Sequence, residues 1–426
     1  MRVTVVTGGS QGDVQPFVAL GEGLRASGHE VKIATYGPFE GLVRSRGLGF
    51  ASLSGDPRQL IEHLLECGFN PVCLALRFRE ALEPLAETNF EECLDACRHA
   101  DAVVYTGVGY LGYLAAQKLG IPRLGAELQP MFVPTREFPS AMVPIDPRLP
   151  GPAGKAYNRL TYAVMEQAFW WNFGRIVNDL RTRRLGLPPA PLGGALREMR
   201  RKGIPVLCGW SPSVLPAPKD WAPWTRVTGY WFLDGLAGWH PQEGLKSFLE
   251  SGPAPVCVGF GSMSDRSAER TTEVILEALR LSGQRGILLT GWGGIANADL
   301  PDEVLKVEEA PHDWLLPRTR AVVHHGGAGT VGAVVRAGLP SVTVPFFSDQ
   351  PFWGRRLESL GVGTAPIPYR RLSAPRLAGA LRRAVVDTAL RERAAGLGRR
   401  VRSEDGVGRA VAAVERHVSG ASARLE

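Results

Sequence analysis

The run Val322-Val-His-His-Gly-Gly-Ala-Gly-Thr330 carries the strongest chemical signal in the chain. An apolar, β-branched stretch leads into two histidines, then Gly326, Gly327 and Gly329, and a helical pattern starts near Thr330. Backbone N–H groups in the first turn of a helix lack intrahelical partners and carry partial positive charge, so they suit an anion such as a diphosphate. The glycines let phosphate oxygens approach the main chain, and His324 can add a side-chain donor. Asp349 and Gln350 follow the next apolar run by one short loop, which brings a carboxylate and an amide to the same sheet edge, where they can grip sugar hydroxyls. A tight turn alone needs only one or two glycines. A P-loop is excluded, because no Gly-Lys-Ser/Thr follows. The dinucleotide fingerprint fails as well: Gly8-Gly-Ser-Gln-Gly12 lacks the spacing and no acidic residue ends the second strand.

Asp13 is the second reactive group. It stands in the loop after the first strand, between Gly12 and a helix start. It can serve as a general base for an attacking hydroxyl or as a helix N-cap three residues before Pro16, and the two roles are compatible. An ordinary aspartate, with a pKa of about 4, is a far weaker base than an alkoxide, so the proton would move late, as the new bond forms. No Asp-x-Asp pair occurs. No metal or cofactor is therefore expected, and the helix dipole and His324 would stabilise a leaving diphosphate. Cys93 and Cys97 with His99 nearby have helical spacing but no second ligand pair. The six cysteines (67, 73, 93, 97, 208 and 257) are irregularly spaced and read as reduced thiols, without a disulfide framework, in a cytoplasmic protein.

The elements that must hold these groups alternate. Strand patterns at 2–7, 30–35, 101–105 and 121–125 are separated by helical ones at 16–26, 79–98 and 109–119. A proline-rich loop over 126–155 carries Met131, Phe132, Phe138 and Met142, and an aromatic-rich helix follows over 155–185. Such a long irregular loop in a compact domain points to function. After a Pro/Trp-rich stretch over 211–241, a second series has strands at 256–259, 286–289, 304–307, 321–324 and 341–344. The expected class is α/β, with two Rossmann-like, doubly wound parallel-sheet domains facing a central cleft. The expected boundaries are 1–225, a linker at 226–252, a second domain at 253–395, and a C-terminal helix over 396–426 packing back on the first domain.

The 426 residues are 44% hydrophobic, with a net charge of +7. That length suits two domains of roughly 200 residues. The positive charge lies mostly in arginines that punctuate helical patterns of the last third, and no nucleic-acid reader motif accompanies it. No apolar run of membrane-spanning length occurs, and the first residues show no long apolar core or cleavage site, so no signal peptide is expected.

The His-His-Gly-Gly-Ala-Gly-Thr run and the Asp-Gln pair resemble the donor signature of the UDP-glycosyltransferases, whose fold is termed GT-B. Several stretches are more specifically similar to the sterol 3-β-glucosyltransferases: Val258-Gly-Phe-Gly-Ser262, Gly291-Trp-Gly-Gly294, Pro311-His-Asp-Trp-Leu315, Val344-Pro-Phe-Phe-Ser-Asp-Gln-Pro-Phe-Trp-Gly354 and Gly12-Asp-Val-Gln-Pro-Phe17. A more distant likeness is to antibiotic glycosyltransferases. The resemblance covers nearly the whole chain, but not the amino-terminal membrane-binding modules of the fungal sterol enzymes. It implies that His324, Gly326, Gly327, Gly329 and Thr330 hold the diphosphate, with Ser262 and Ser10 adding contacts. It further implies that Asp349 and Gln350 bind the hexose and that His312 lies in the base segment. Glu309 stands where plant relatives have a stacking Trp, so Trp292, or else Trp314, takes that role. Asp13 matches the catalytic base.

The expected reaction is inverting and metal-independent. It moves glucose from UDP-glucose to a hydroxyl of a lipophilic acceptor such as a sterol. Phe132, Phe138, Met142, Phe169 and Trp170 are the expected acceptor lining. A dTDP- or UDP-sugar enzyme decorating a polyketide is the main alternative, in keeping with an Ala/Arg/Gly-rich, high-GC bacterial composition. A nucleotide-sugar epimerase and a non-catalytic binding protein fit less well. Expected partners are the nucleotide sugar and the acceptor, with peripheral membrane contact and no nucleic acid.

Overall fold

A computed structural model describes residues 1–422 apart from 58, 60–66, 68–69, 108, 144–148, 192–193, 236–237, 262–267 and 291–299. The chain forms two compact units, Met1–Leu233 with Asp405–Glu426, and Asp234–Glu404.

In the first unit the order is β1 (Arg2–Val6), α1 (Gln11–Ala26), β2 (Glu30–Tyr36), α2 (Glu40–Ser45), β3 (Gly49–Leu53), α3 (Pro71–Leu82), α4 (Ala86–Cys97), β4 (Ala102–Thr106), α5 (Tyr110–Leu119) and β5 (Arg123–Glu127). After the proline-rich loop come α6 (Gly151–Arg183), α7 (Gly194–Arg201), β6 (Val206–Cys208) and β7 (Thr225–Val227). The seven strands form one parallel sheet in the order β3-β2-β1-β4-β5-β6-β7. Val3, Val5 and Val6 of β1 and Ala102 to Tyr105 of β4 are fully buried, as expected of central strands covered by helices on both faces.

α1 begins five residues before Pro16, because Ser10 has extended backbone angles and serves as N-cap. Pro16 is tolerated inside the helix at the loss of one backbone bond. The proline-rich loop is ordered by side chains that bond its main chain. Thr135 Oγ1 donates to Asp220 at 2.6 Å, the Arg136 nitrogen donates to the same carboxylate at 2.9 Å, and the Ser140 nitrogen donates to Thr161 Oγ1 at 2.9 Å.

The second unit contains α8 (Glu243–Glu250), β8 (Val256–Gly259), α9 (Ala268–Ser282), β9 (Gly286–Leu289), β10 (Val304–Val307), α10 (His312–Leu315), β11 (Ala321–His324), α11 (Ala328–Ala337), β12 (Ser341–Thr343), α12 (Gln350–Ser359), α13 (Ala374–Val386) and α14 (Thr388–Arg402). Its parallel sheet has the order β10-β9-β8-β11-β12. Both sheets are doubly wound. Strand order reverses between β1 and β4 in one and between β8 and β11 in the other, the places where such folds bind ligands.

Residues 226–252 are not a bare linker: β7 closes the first sheet and α8 packs beside β10. The chain leaves the second unit after Glu404 and not at residue 396, because α14 packs on α11. The last helix, α15 (Gly406–Ser422), belongs to the first unit, where Val407 lies against Gly23 and Glu415 Oε1 sits 2.9 Å from His29 Nε2.

Cysteine chemistry departs from expectation at one pair. Cys67 and Cys73, six residues apart, are joined by a disulfide, while Cys93, Cys97, Cys208 and Cys257 are buried free thiols. The irregular spacing concealed it because a short local loop leaves no pattern of repeated spacings. No helix among the described residues is long and apolar enough to cross a membrane.

Candidate active site

The turn after β1 carries the candidate groups of the first unit. Asp13 is the third residue of α1, and its Oδ2 accepts from the Ser10 nitrogen at 2.8 Å and from Ser10 Oγ at 2.9 Å. Gly9 has a φ of +117°, and a Cβ there would stand 2.5 Å from Asp13 Oδ2, so only glycine lets the turn fold over the carboxylate. Burial pushes the Asp13 pKa up, and the two Ser10 hydrogen bonds oppose that shift. The result is a carboxylate held in place and made more basic than usual, with Tyr36 close enough to feel its charge. Ser10 gives its hydroxyl proton to Asp13. It therefore holds the carboxylate in place.

Beside this turn, at the carboxyl end of β4, lies Phe132, whose ring covers Gly107. Phe132 and Phe169 meet edge to face at 5.6 Å, and Phe169 also touches Tyr110 at 6.2 Å and Phe173 at 5.0 Å. Of the five expected acceptor residues, these two come together. Phe138 packs on Trp221 at 6.2 Å. Trp170 lies against Gly174 and Gly194 and on the core, and Met142 is half-buried. Glu127, at the end of β5, accepts from the Met131 and Phe132 nitrogens at 3.2 and 3.5 Å. Burial raises its pKa to about 7. Neither Glu127 nor Tyr110 figures in the sequence reading. A lone acid ending a buried strand next to the proline-rich loop was the available signal.

The turn after β11 carries the candidate groups of the second unit. His324 is wholly buried, its Nε2 lies 2.6 Å from Ser341 Oγ, and its Nδ1 accepts from the Gly326 nitrogen at 3.1 Å. With Nδ1 accepting, Nε2–H donates to the serine, so the ring is neutral and both nitrogens are engaged. Burial and the neighbouring histidines push its pKa down to about 3. His324 thus ties β11 to β12 and shapes the turn. His325 is half-buried, its ring lies between Gly261 and Gly327 in the turns after β8 and β11, and its buried Nδ1 has no partner among the described residues. Burial lowers its pKa to about 4.

Gly327 is the N-cap of α11, and Gly329 and Thr330 lie in its first turn, facing at least partly outward. Gly326 has a φ of +95°, and a Cβ there would press to 3.0 Å on the Gln350 carbonyl. The glycine turn and the Asp-Gln turn are therefore in contact. Gln350 Oε1 accepts from the Phe346 and Phe347 nitrogens at 2.8 and 3.3 Å, and Asp349 Oδ2 accepts from Trp353 Nε1 at 2.9 Å. Both side chains are nearly buried, and Ser348 between the turns has a φ of +61°. His312 is exposed at the start of α10, near enough for its charge to depress both other histidines. Trp314 packs against Trp239 at 5.2 Å, a core role. Ser262 and Trp292 lie outside the described residues.

Residues 3–132 match the glycosyltransferase family 28 N-terminal domain, and residues 293–408 match the erythromycin biosynthesis protein CIII-like C-terminal domain. A sterol 3-beta-glucosyltransferase of Arabidopsis thaliana is 35% identical, the match covering 98% of this chain and 68% of the relative. The chain belongs to the glycosyltransferase family of the sterol 3-beta-glucosyltransferases. This membership makes it a sugar-transferring enzyme. A sterol 3-beta-glucosyltransferase of Neosartorya fischeri is 38% identical over 98% of the chain, which spans only 29% of that longer protein. Among solved structures, the glycosyltransferase of kitacinnamycin superposes with a TM-score of 0.74 at 18% identity, covering 98% of this chain and 99% of that one. CalG4, the calicheamicin glycosyltransferase, gives 0.69 at 18% identity, covering 98% of each. These neighbours carry the GT-B fold, two parallel-sheet α/β domains, and this glycosyltransferase has the same pair.

Proposed function

We propose that the enzyme moves glucose from UDP-glucose to a hydroxyl of a lipophilic acceptor, a sterol or related terpenoid, by direct displacement with inversion. One observation supports the reading: in each unit the candidate groups lie at the point where strand order reverses. Asp13 stands beside β1 and β4, and the His325–Gly327 turn with the α11 start stands beside β8 and β11. In the displacement, Asp13 takes the acceptor proton as the glycosidic bond forms. The α11 amides and His325 hold the leaving diphosphate, whose charge grows in the transition state. Asp349 and Gln350, locked by Trp353 and the Phe346–Phe347 amides, present the remainder of their polar surface to the hexose. Phe132 and Phe169 form the apolar wall for the acceptor.

The test is a matrix of UDP- and dTDP-sugars against sterols, polyketides and flavonoids, read by mass shift, with and without EDTA. Hexosylated sterol from UDP-glucose, undiminished by EDTA, is expected. Transfer confined to dTDP-sugars and polyketides, or sugar isomerisation without acceptor, would replace the reading.

A further inference from the structure

The face of α6 opposite the Phe132–Phe169 cluster stands exposed, and no described residue is seen to pack on it. Trp171 is 82% exposed, Leu160 58% and Val164 54%. At about 100° per residue, Ala153, Leu160, Val164, Gln167 and Trp171 fall within about 60° of arc, and all are exposed. Leu160 and Trp171 are about 16 Å apart along the axis. The fold does not need this stripe, because α6 already buries Tyr162, Val177 and Leu180 on another face. The exposed charges of α6 are Lys155, Arg159, Arg175 and Arg183 against one acid, Asp179, while Glu166 is paired with Arg200. Arg159 and Arg175 flank the stripe on opposite sides. Glu83, which feels Arg175, is already paired with Arg79.

We propose that this face of α6 docks the enzyme on an anionic lipid surface, lying in the plane of the headgroups. An exposed Trp beside aliphatic side chains, edged by arginines, is the chemistry of an interfacial helix. A second copy fits less well, since a two-fold contact would bring the arginine flanks together. The inference stands apart from the acceptor proposed above. A bilayer is, though, where a lipophilic acceptor would be dissolved, and Phe169 is on the same helix.

The experiment is flotation of the purified full chain with vesicles of phosphatidylcholine alone or mixed with phosphatidylglycerol, at low and high salt. Binding to the anionic vesicles, weakened by salt, is expected. Leu160→Ser with Trp171→Ser should weaken it about tenfold or more. Arg159→Ser and Arg175→Ser should each weaken it about fivefold. Melting curves and UDP affinity should be unchanged in all variants, since none of these residues touches the core or the donor turn. Absence of binding to either vesicle, or equal binding by the variants, overturns the proposal. So does a solution dimer that Trp171→Ser dissociates. Because flotation uses no substrate, a chain that floats but glucosylates no sterol refutes only the acceptor assignment.

Discussion

The backbone nitrogen of Gly326 donates to Nδ1 of His324, 3.1 Å away, which ties the last residue of β11 to the turn it feeds. This bond separates the two adjacent histidines by role. His325→Ala removes a donor from the anion site and should weaken UDP binding about 10- to 150-fold, the worth of a hydrogen bond to a charged group. His324→Ala leaves Ser341 and Gly326 unpaired in the core, so it should cost about 1–3 kcal/mol of stability. Any loss of affinity would then follow the loss of fold. Calorimetry with UDP alongside melting curves checks this. A His324→Ala protein that melts like wild type but no longer binds UDP would reverse the assignment.

Asp349 calls for a substitution milder than alanine. Its Oδ2 is the acceptor for the buried Trp353 indole, so Asp349→Ala would mix sugar recognition with destabilisation. Asp349→Asn can keep the indole bond while discarding the charge that grips sugar hydroxyls. The donor KM should rise and kcat fall, with kcat/KM down about tenfold or more and the acceptor KM little changed. Free UDP, which has no hexose, should bind as before. An unaltered preference among UDP-sugars would remove Asp349 from the sugar site.

The two units should respond to pH with opposite signs. Glu127 has a pKa raised from 4.5 to about 7. Its contribution to stability is complete below about pH 4.5 and is lost as pH rises to about 7, and Asp13, also raised, acts in the same direction. His325 and His324 are lowered from 6.5 to about 4 and about 3. Their contribution is present above about pH 6.5 and is lost as pH falls towards those values. Glu127→Gln should therefore match wild type near pH 4 and be the more stable protein at pH 8, by about 3 kcal/mol. Calorimetric melts of the two proteins across that range provide the check. A gap that closes as pH rises would contradict the sign.

The strands of the second sheet were legible, including the half-exposed edge strand β10. Val256–Gly259, Gly286–Leu289, Val304–Val307 and Ala321–His324 each read to the residue from apolar, β-branched runs bounded by turn signals. β3, β6 and β7 were missed. The first, Gly49-Phe-Ala-Ser-Leu53, has no β-branched residue, and the others are three residues long within or just before the Pro/Trp-rich stretch. The glycine turn reads from the sequence as a candidate anion site, but which of its two histidines is buried does not. In a strand, side chains alternate faces, and His324 shares the side of Val322, which packs in the core. That alternation ends at the strand terminus, where residue types alone do not say which histidine turns outward. The acceptor lining fared similarly. Aromatic spacing on α6 listed Phe169 and Trp170 together, although adjacent helical residues point about 100° apart and only Phe169 reaches Phe132.

Asp13 and Ser10 give the sharpest test of mechanism, because one geometry serves both cap and base. Asp13→Asn preserves size, and an amide oxygen can still accept from the Ser10 nitrogen and hydroxyl, so α1 should start where it does now and melting should change little. The amide cannot take a proton from the acceptor, so kcat should fall about 10²- to 10⁴-fold. Ser10→Ala acts differently. It leaves the carboxylate but removes one of the two hydrogen bonds that oppose the upward push of burial. The Asp13 pKa should rise further, and the acidic limb of the kcat/KM profile should move to higher pH, while activity at the plateau is largely retained. A structural cap alone would not move that limb. If Asp13→Asn keeps more than about a tenth of wild-type kcat, or if Ser10→Ala leaves the pH profile in place, the carboxylate is only a cap, and the base lies elsewhere in the first unit.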